Sequence, residues 1–312
     1  MTSDERERQE SRFRTVFKRV HAAHPRCLED EWLTDPCRDE AGAPVDRPVV
    51  WSRRNGAWRR VEILWVGAAP GNAGGKGSGD LGAHGTRIPF GGDLSGANVD
   101  ALFGSIGVTR NDTFIAAALN QLPVRGGGEP ALAELVAPVG DYATSLHLLH
   151  DTIVAAGPRL IVAFGNVALR AVVSAARLGA EPLRLPSLAR LARAGLERGA
   201  ATPWPAAEPP GERFLDAWRT AWRGDPLPAL LFLLHPSAQN MSPFAGTTTR
   251  FHARMLETRA ALRRAARDVL GLDPPADRPP LPTTGIYALP EWRDRIAPRH
   301  ARLDRLWREK GV

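Results

Sequence analysis

A chain of 312 residues with an ordinary hydrophobic share of 43% is long enough to bury a sizeable core. No apolar run approaches the ~18 residues a membrane span needs, and two cysteines are too few to staple a secreted scaffold of this length. The formal charge of +7 permits a polyanionic partner, or reflects a merely compositional excess of arginine.

The first residues, MTSDERERQESRFR, are charged where a signal peptide would be apolar, so a cytoplasmic protein is expected. Residues 3–22 predict an amphipathic helix, with Phe13, Val16, Phe17 and Val20 on one face. Cys27 to Asn55 is irregular, broken by Pro36, Pro44 and Pro48. Its cysteines, Cys27 and Cys37, fit neither a C-x-x-C pair nor a four-cysteine cluster.

The stretch from Val61 to Leu102 organises the rest. Ile63–Val66 is a short apolar run, a buried parallel strand that stops at Gly67. A glycine-dense loop follows, and a helical pattern begins near Ser95. Ligands of open α/β sheets bind beyond the carboxyl ends of strands, so Asn72, Lys76, Asp80, His84, Arg87 and Asp93 are site candidates. GNAGGKGS mimics a phosphate-binding loop. The register fails, because Pro70 stands where the first glycine belongs and Gly77 follows Lys76.

Further along, Asp112–Leu119 predicts a second strand, Tyr142–Ala156 a helix ended by Gly157-Pro158, and Arg159–Phe164 a third strand. A helix follows at Asn166–Arg177. Residues 179–213, rich in Pro, Ala and Arg, look like an insertion, and Phe214–Trp222 is a short aromatic helix. Leu230–Leu234 is a fourth strand with His235-Pro236-Ser237 at its end, and a long helix spans about Thr249 to Leu270. Strands alternating with helices predict an α/β fold with a parallel sheet covered on both faces. Three parts are expected: a lead-in packed on the core over 1–60, the α/β domain over 61–272, and a Pro-rich linker with a basic tail over 273–312. Whether that tail folds back on the core or binds DNA stays open.

Four pieces in order, GAAPG at 67–71, RIPFGGDLSG at 87–96, RLIVAFGNVALRAVV at 159–173 and HPSAQN at 235–240, resemble the uracil-DNA glycosylase superfamily. The resemblance implies a three-layer α/β/α fold on a short four-stranded parallel sheet. It also implies a DNA repair enzyme that flips a damaged base from DNA and cleaves its N-glycosidic bond. By this resemblance Phe90 stacks on the base and His235 donates to its O2 oxygen, with Gly67, Ala69, Pro70, Gly71 and Asn120 around the base. Ser237, Gln239, Asn240, Met241, Arg87 and Lys76 would contact DNA, with Gln239 and Met241 placed to fill the gap a flipped base leaves.

Several branches carry the water-activating residue at positions matching Ala68 and Ala69, and here both are alanine. A fifth branch carries instead a carboxylate in G-D-x-S-G, which matches Gly92-Asp93-Leu94-Ser95-Gly96. Asp93 is therefore the candidate base or electrostatic stabiliser, unless it simply caps the following helix. That branch also binds an iron–sulfur cluster on four cysteines, which two cysteines cannot supply. The asparagine that reads the pyrimidine edge aligns with Ala117, and Asn120 has the wrong strand parity to replace it. The expectation is a DNA glycosylase acting as a monomer on uracil or another deaminated base in double- or single-stranded DNA, with no metal or cofactor. The alternative is a catalytically impaired DNA- or nucleotide-binding member of the same fold.

Overall fold

The computed structural model describes residues 62–68, 90–91, 94–118, 143–176, 228–236, 249–283, 285–288, 290 and 292–309. It also describes Ser11 and the strand residues at 37–38, 44–45, 49–50, 53–54 and 57–58. One sheet organises the chain. Its strands in chain order are β1 (Val49–Val50), β2 (Ile63–Gly67), β3 (Phe114–Ala117), β4 (Leu160–Phe164) and β5 (Ala229–Leu233). They lie side by side in the order β1-β3-β2-β4-β5. The last four are parallel, as the apolar runs predict, with Trp65 opposite both Ile115 and Val162. The lead-in adds what the sequence did not suggest, an antiparallel edge strand, β1, on β3. Two valines after a proline are too short a run to show period-2 alternation.

The helices are α1 (Leu94–Ser105), α2 (Ala143–Ala156), α3 (Gly165–Ala176), α4 (Thr249–Leu270) and α5 (Ala297–Glu309). Residues 63–66 are all buried, and alternate side chains enter opposite cores. Ile63 and Trp65 join Val162, Phe164, Leu231 and Leu233 in a core closed by α1, α4 and Trp307 of α5. The opposite face is covered by α2 and α3. These are the three layers the apolar strands require, since each face of such a sheet must be covered. None of the described helices is long and apolar enough to cross a membrane.

The segment after α4 lies along the core. Arg263 donates to the carbonyls of Ser105, Pro275 and Pro274 at 2.8, 2.7 and 3.1 Å, joining α4, the end of α1 and the Pro-rich stretch. Arg278 pairs with Asp304 on α5. A 3-10 turn (Gly285–Ala288) and a π turn (Trp292–Ile296) lead into α5, which packs on α1. Of the two alternatives for the tail, folding back on the core is the one observed. The predicted helix over 3–22 apart from helical Ser11, the helix over 214–222, the insertion over 179–213 and the cysteine at 27 lie outside the described residues.

Candidate functional site

Strand order fixes where a ligand can enter. The chain leaves β2 through α1, on one face of the sheet, and leaves the neighbouring β4 through α3, on the other. Two adjacent parallel strands whose outgoing helices part to opposite faces open a crevice at their carboxyl ends. Gly67 and Phe164 are those ends, and Phe90 sits against both.

Phe90 has φ 53°, making it the one non-glycine residue with positive φ among the described residues. A phenylalanine held there is strained by roughly 1–3 kcal/mol and persists only where its surroundings over-determine it. Three contacts do so. Arg110 Nη2 donates to the Phe90 carbonyl at 2.8 Å. Gly96 of α1 lets that carbonyl approach the helix, since a Cβ there would lie 1.9 Å from the oxygen. Gly67 makes room for the ring, because a Cβ there would lie 2.7 Å from Phe90 Cζ.

The ring then meets Phe164 edge-on, with centroids 6.0 Å apart, while Phe164 stacks on Trp65 at 5.5 Å. Trp65 in turn packs on Phe103 at 4.3 Å, so an aromatic column runs from the interior to the crevice. His235, two residues past β5, completes the group. Its ring lies 6.4 Å from that of Phe90, tilted by 47°, and both residues are partly exposed. Gly165, at φ 80°, turns the chain beneath His235, and a Cβ at Gly165 would come within 3.2 Å of His235 Cβ.

Behind the crevice is a buried polar cluster. Asn98 Nδ2 donates to the Pro236 carbonyl at 2.8 Å, and Trp307 Nε1 donates to Asn98 Oδ1 at 2.8 Å. Arg110 Nε donates to Asp100 Oδ1 at 2.6 Å, and His300 Nδ1 lies 2.7 Å from Asp100 Oδ2, at ion-pair distance though off the line of a good hydrogen bond. Burial pushes the Asp100 carboxyl up, but the Arg110 guanidinium and His300 outweigh it and hold the group below its ordinary range. Tyr287 Oη accepts from the Arg110 backbone N–H at 2.9 Å, and burial drives its phenol well above its usual value. The Trp292 ring stands 5.2 Å from the Arg110 guanidinium.

A model of the uracil DNA glycosylase superfamily matches residues 56–262. The chain belongs to that superfamily. No curated protein matches it. A superfamily fold of this kind accounts for the four-stranded parallel sheet between helical layers, and it carries a glycosylase type of function and DNA as the partner class.

Of the sequence-predicted site residues, Gly67, Phe90 and His235 come together. Ala117 ends β3 with its backbone beside Gly67, where the Ala118 N–H donates to the Gly67 carbonyl at 2.8 Å. Asp93, Ala69, Pro70, Gly71, Lys76, Arg87, Asn120, Ser237, Gln239, Asn240 and Met241 lie outside the described residues. Sequence reasoning missed Asn98, Asp100, Arg110, His300 and Trp307. A signal existed for the first two: polar side chains inside the apolar helical run ANVDALF. For the last two there was none.

Proposed function

We propose that this chain is a DNA glycosylase that takes a uracil or another deaminated base out of the stack and cleaves its N-glycosidic bond. One observation carries the reading: an aromatic ring in a strained, over-determined backbone conformation stands beside an imidazole at the crevice of the sheet. A π-face grips any flattened base without asking its identity, while a ring N–H can be aimed at one of its oxygens.

The base must leave the duplex because its sugar bond is inaccessible inside the stack. Phe90 would then hold its face. As the bond from the sugar C1′ to the base nitrogen breaks, the electron pair goes to the base and charge gathers on its oxygen. An imidazole N–H of His235 donates to that oxygen, which lowers the barrier only because the ring is already in place. The sugar becomes an oxocarbenium ion, which the Asp93 carboxylate stabilises. Water then adds, its hydroxyl to C1′ and its proton to the departing base. Ala68 and Ala69 offer no polar group for activating that water, so Asp93 and His235 carry most of the rate.

A panel of uracil, xanthine and hypoxanthine oligonucleotides, single- and double-stranded, tests the reading under single-turnover conditions. Cleavage of at least one is expected, with His235→Ala slower by about 10²–10³, the usual cost of losing one preorganised donor. Asp93→Asn is expected to keep the fold and lose rate. If it cleaves like the parent, Asp93 only caps α1. The two alanines and Ala117 favour a second reading, a DNA binder without catalysis. Tight binding of the same oligonucleotides with no cleavage of any would select it.

A further inference from the structure

We infer that the C-terminal segment is a working part of the site, with Trp307 acting through Asn98 to position the loop that carries His235. The inference rests on the role given to His235 above. The superfamily match ends at residue 262, so Trp307 lies beyond the matched residues.

The chemistry of the three partners is specific. An indole N–H only donates and a proline carbonyl only accepts. The Asn98 carboxamide has an oxygen that accepts and an NH2 that donates, each 2.8 Å from its partner, so its orientation is fixed by them. Asn98 and Trp307 are both 0% exposed. In such a dry setting an aspartate would turn a second acceptor toward the Pro236 carbonyl, and a leucine would leave carbonyl and indole both unsatisfied. Pro236 has no N–H of its own, so its carbonyl is the backbone handle by which the loop can be held there. His235 is thus confined on two sides, by the close approach of Gly165 and by the hold on the residue after it.

The same logic repeats at Phe90. Its carbonyl is held by Arg110, and Arg110 is held by Asp100 and by Tyr287 of the tail. Each ring of the site is therefore tied, through one side chain of the core, to the segment beyond α4. Trp307 touches no substrate and is a positioning residue.

The test compares full-length Trp307→Phe, which keeps an aromatic ring but deletes the N–H together with some packing, with Leu303→Ala, which removes buried packing from the same helix and leaves the hydrogen bonds. Amide hydrogen exchange at Leu234 and His235, the amides between β5 and Pro236, reads the loop directly. Single-turnover cleavage of a uracil oligonucleotide at saturating protein, with the dissociation constant measured separately, reads the chemistry. Trp307→Phe is expected to speed exchange of the loop and slow cleavage, each by about tenfold, the loss of one net hydrogen bond, with DNA affinity unchanged. Leu303→Ala should lower the melting temperature at least as much and do neither. Exchange unchanged in Trp307→Phe, or raised equally in Leu303→Ala, overturns the proposal. If Trp307→Phe does not fold, the isosteric Asn98→Asp carries the same comparison. If the parent cleaves no deaminated base, the role of His235 fails, while the exchange comparison still decides whether Trp307 holds the loop.

Discussion

The two faces of the sheet are built to different rules. Toward α2 and α3 the contacts are apolar, made by residues such as Leu64, Val66, Leu149, Ile153 and Val172. Among the described residues, Thr152 Oγ1 there bonds locally, donating one turn back to the Leu148 carbonyl. Toward α1 and α5 the packing also holds buried Asn98, Arg110 and His300 and partly buried Asp100, each reaching a distant part of the chain. Apolar packing is non-directional and tolerates small shifts. A buried polar network commits to one geometry, because any partner that moves leaves another unsatisfied. The face with directional bonds is the one behind Phe90 and His235.

The sharpest way to break that contrast is Asp100→Asn. It removes the charge facing the buried Arg110, whose side chain is 0% exposed. An uncompensated buried guanidinium should cost about 3–5 kcal/mol, read from the urea unfolding midpoint. A loss below about 1 kcal/mol would mean that the cluster is hydrated and not structural.

Gly96→Ala is next, and its sign is the test. In an ordinary helix that change stabilises by about 0.5–1 kcal/mol. Here the added carbon would lie 1.9 Å from the Phe90 carbonyl. The expected outcome is therefore a loss of about 1–3 kcal/mol from overpacking, together with slower cleavage as Phe90 shifts. A stabilised variant with parental rate would detach Phe90 from α1.

On the opposite face, Ile153→Val should cost about 0.5–1.5 kcal/mol and leave the single-turnover rate of the folded protein alone. A rate effect out of proportion to stability would show that the apolar face also sets the site.

The smallest expected effect is in acid. Asp100 is held below the ordinary carboxyl value of 3.8 in the folded state. Its contribution to stability is thus complete above that value and is lost as pH falls through the depressed one. Melting temperatures between pH 7 and pH 3 should fall more steeply for the parent than for Asp100→Asn. Parallel curves would remove Asp100 from the acid response.

Much of this architecture was legible in the sequence. β2, β3, β4 and β5 stand at the apolar runs, each within two residues of its predicted bounds, and α2 and α4 match their periodic stretches. Motifs whose order resembles a known superfamily singled out Phe90 and His235, and the fold brings their rings within 6.4 Å. The antiparallel β1 was not, because its two residues acquire strand geometry only by pairing with β3.

What the sequence by itself determined is the sheet, its two helical coverings and the identity of the rings at its carboxyl edge. Hydrophobic period reports on neighbours a few positions away, and the four parallel strands here are buried on both faces, so the signal is continuous. Only the tertiary structure decided that the arginine-rich tail closes the core and that Trp307 meets Asn98, 209 positions away. It likewise decided that Asn98 holds Pro236 across 138 positions. A hydrogen bond over such a span leaves no local pattern, because its two ends share neither a helix face nor a strand register until the fold brings them together.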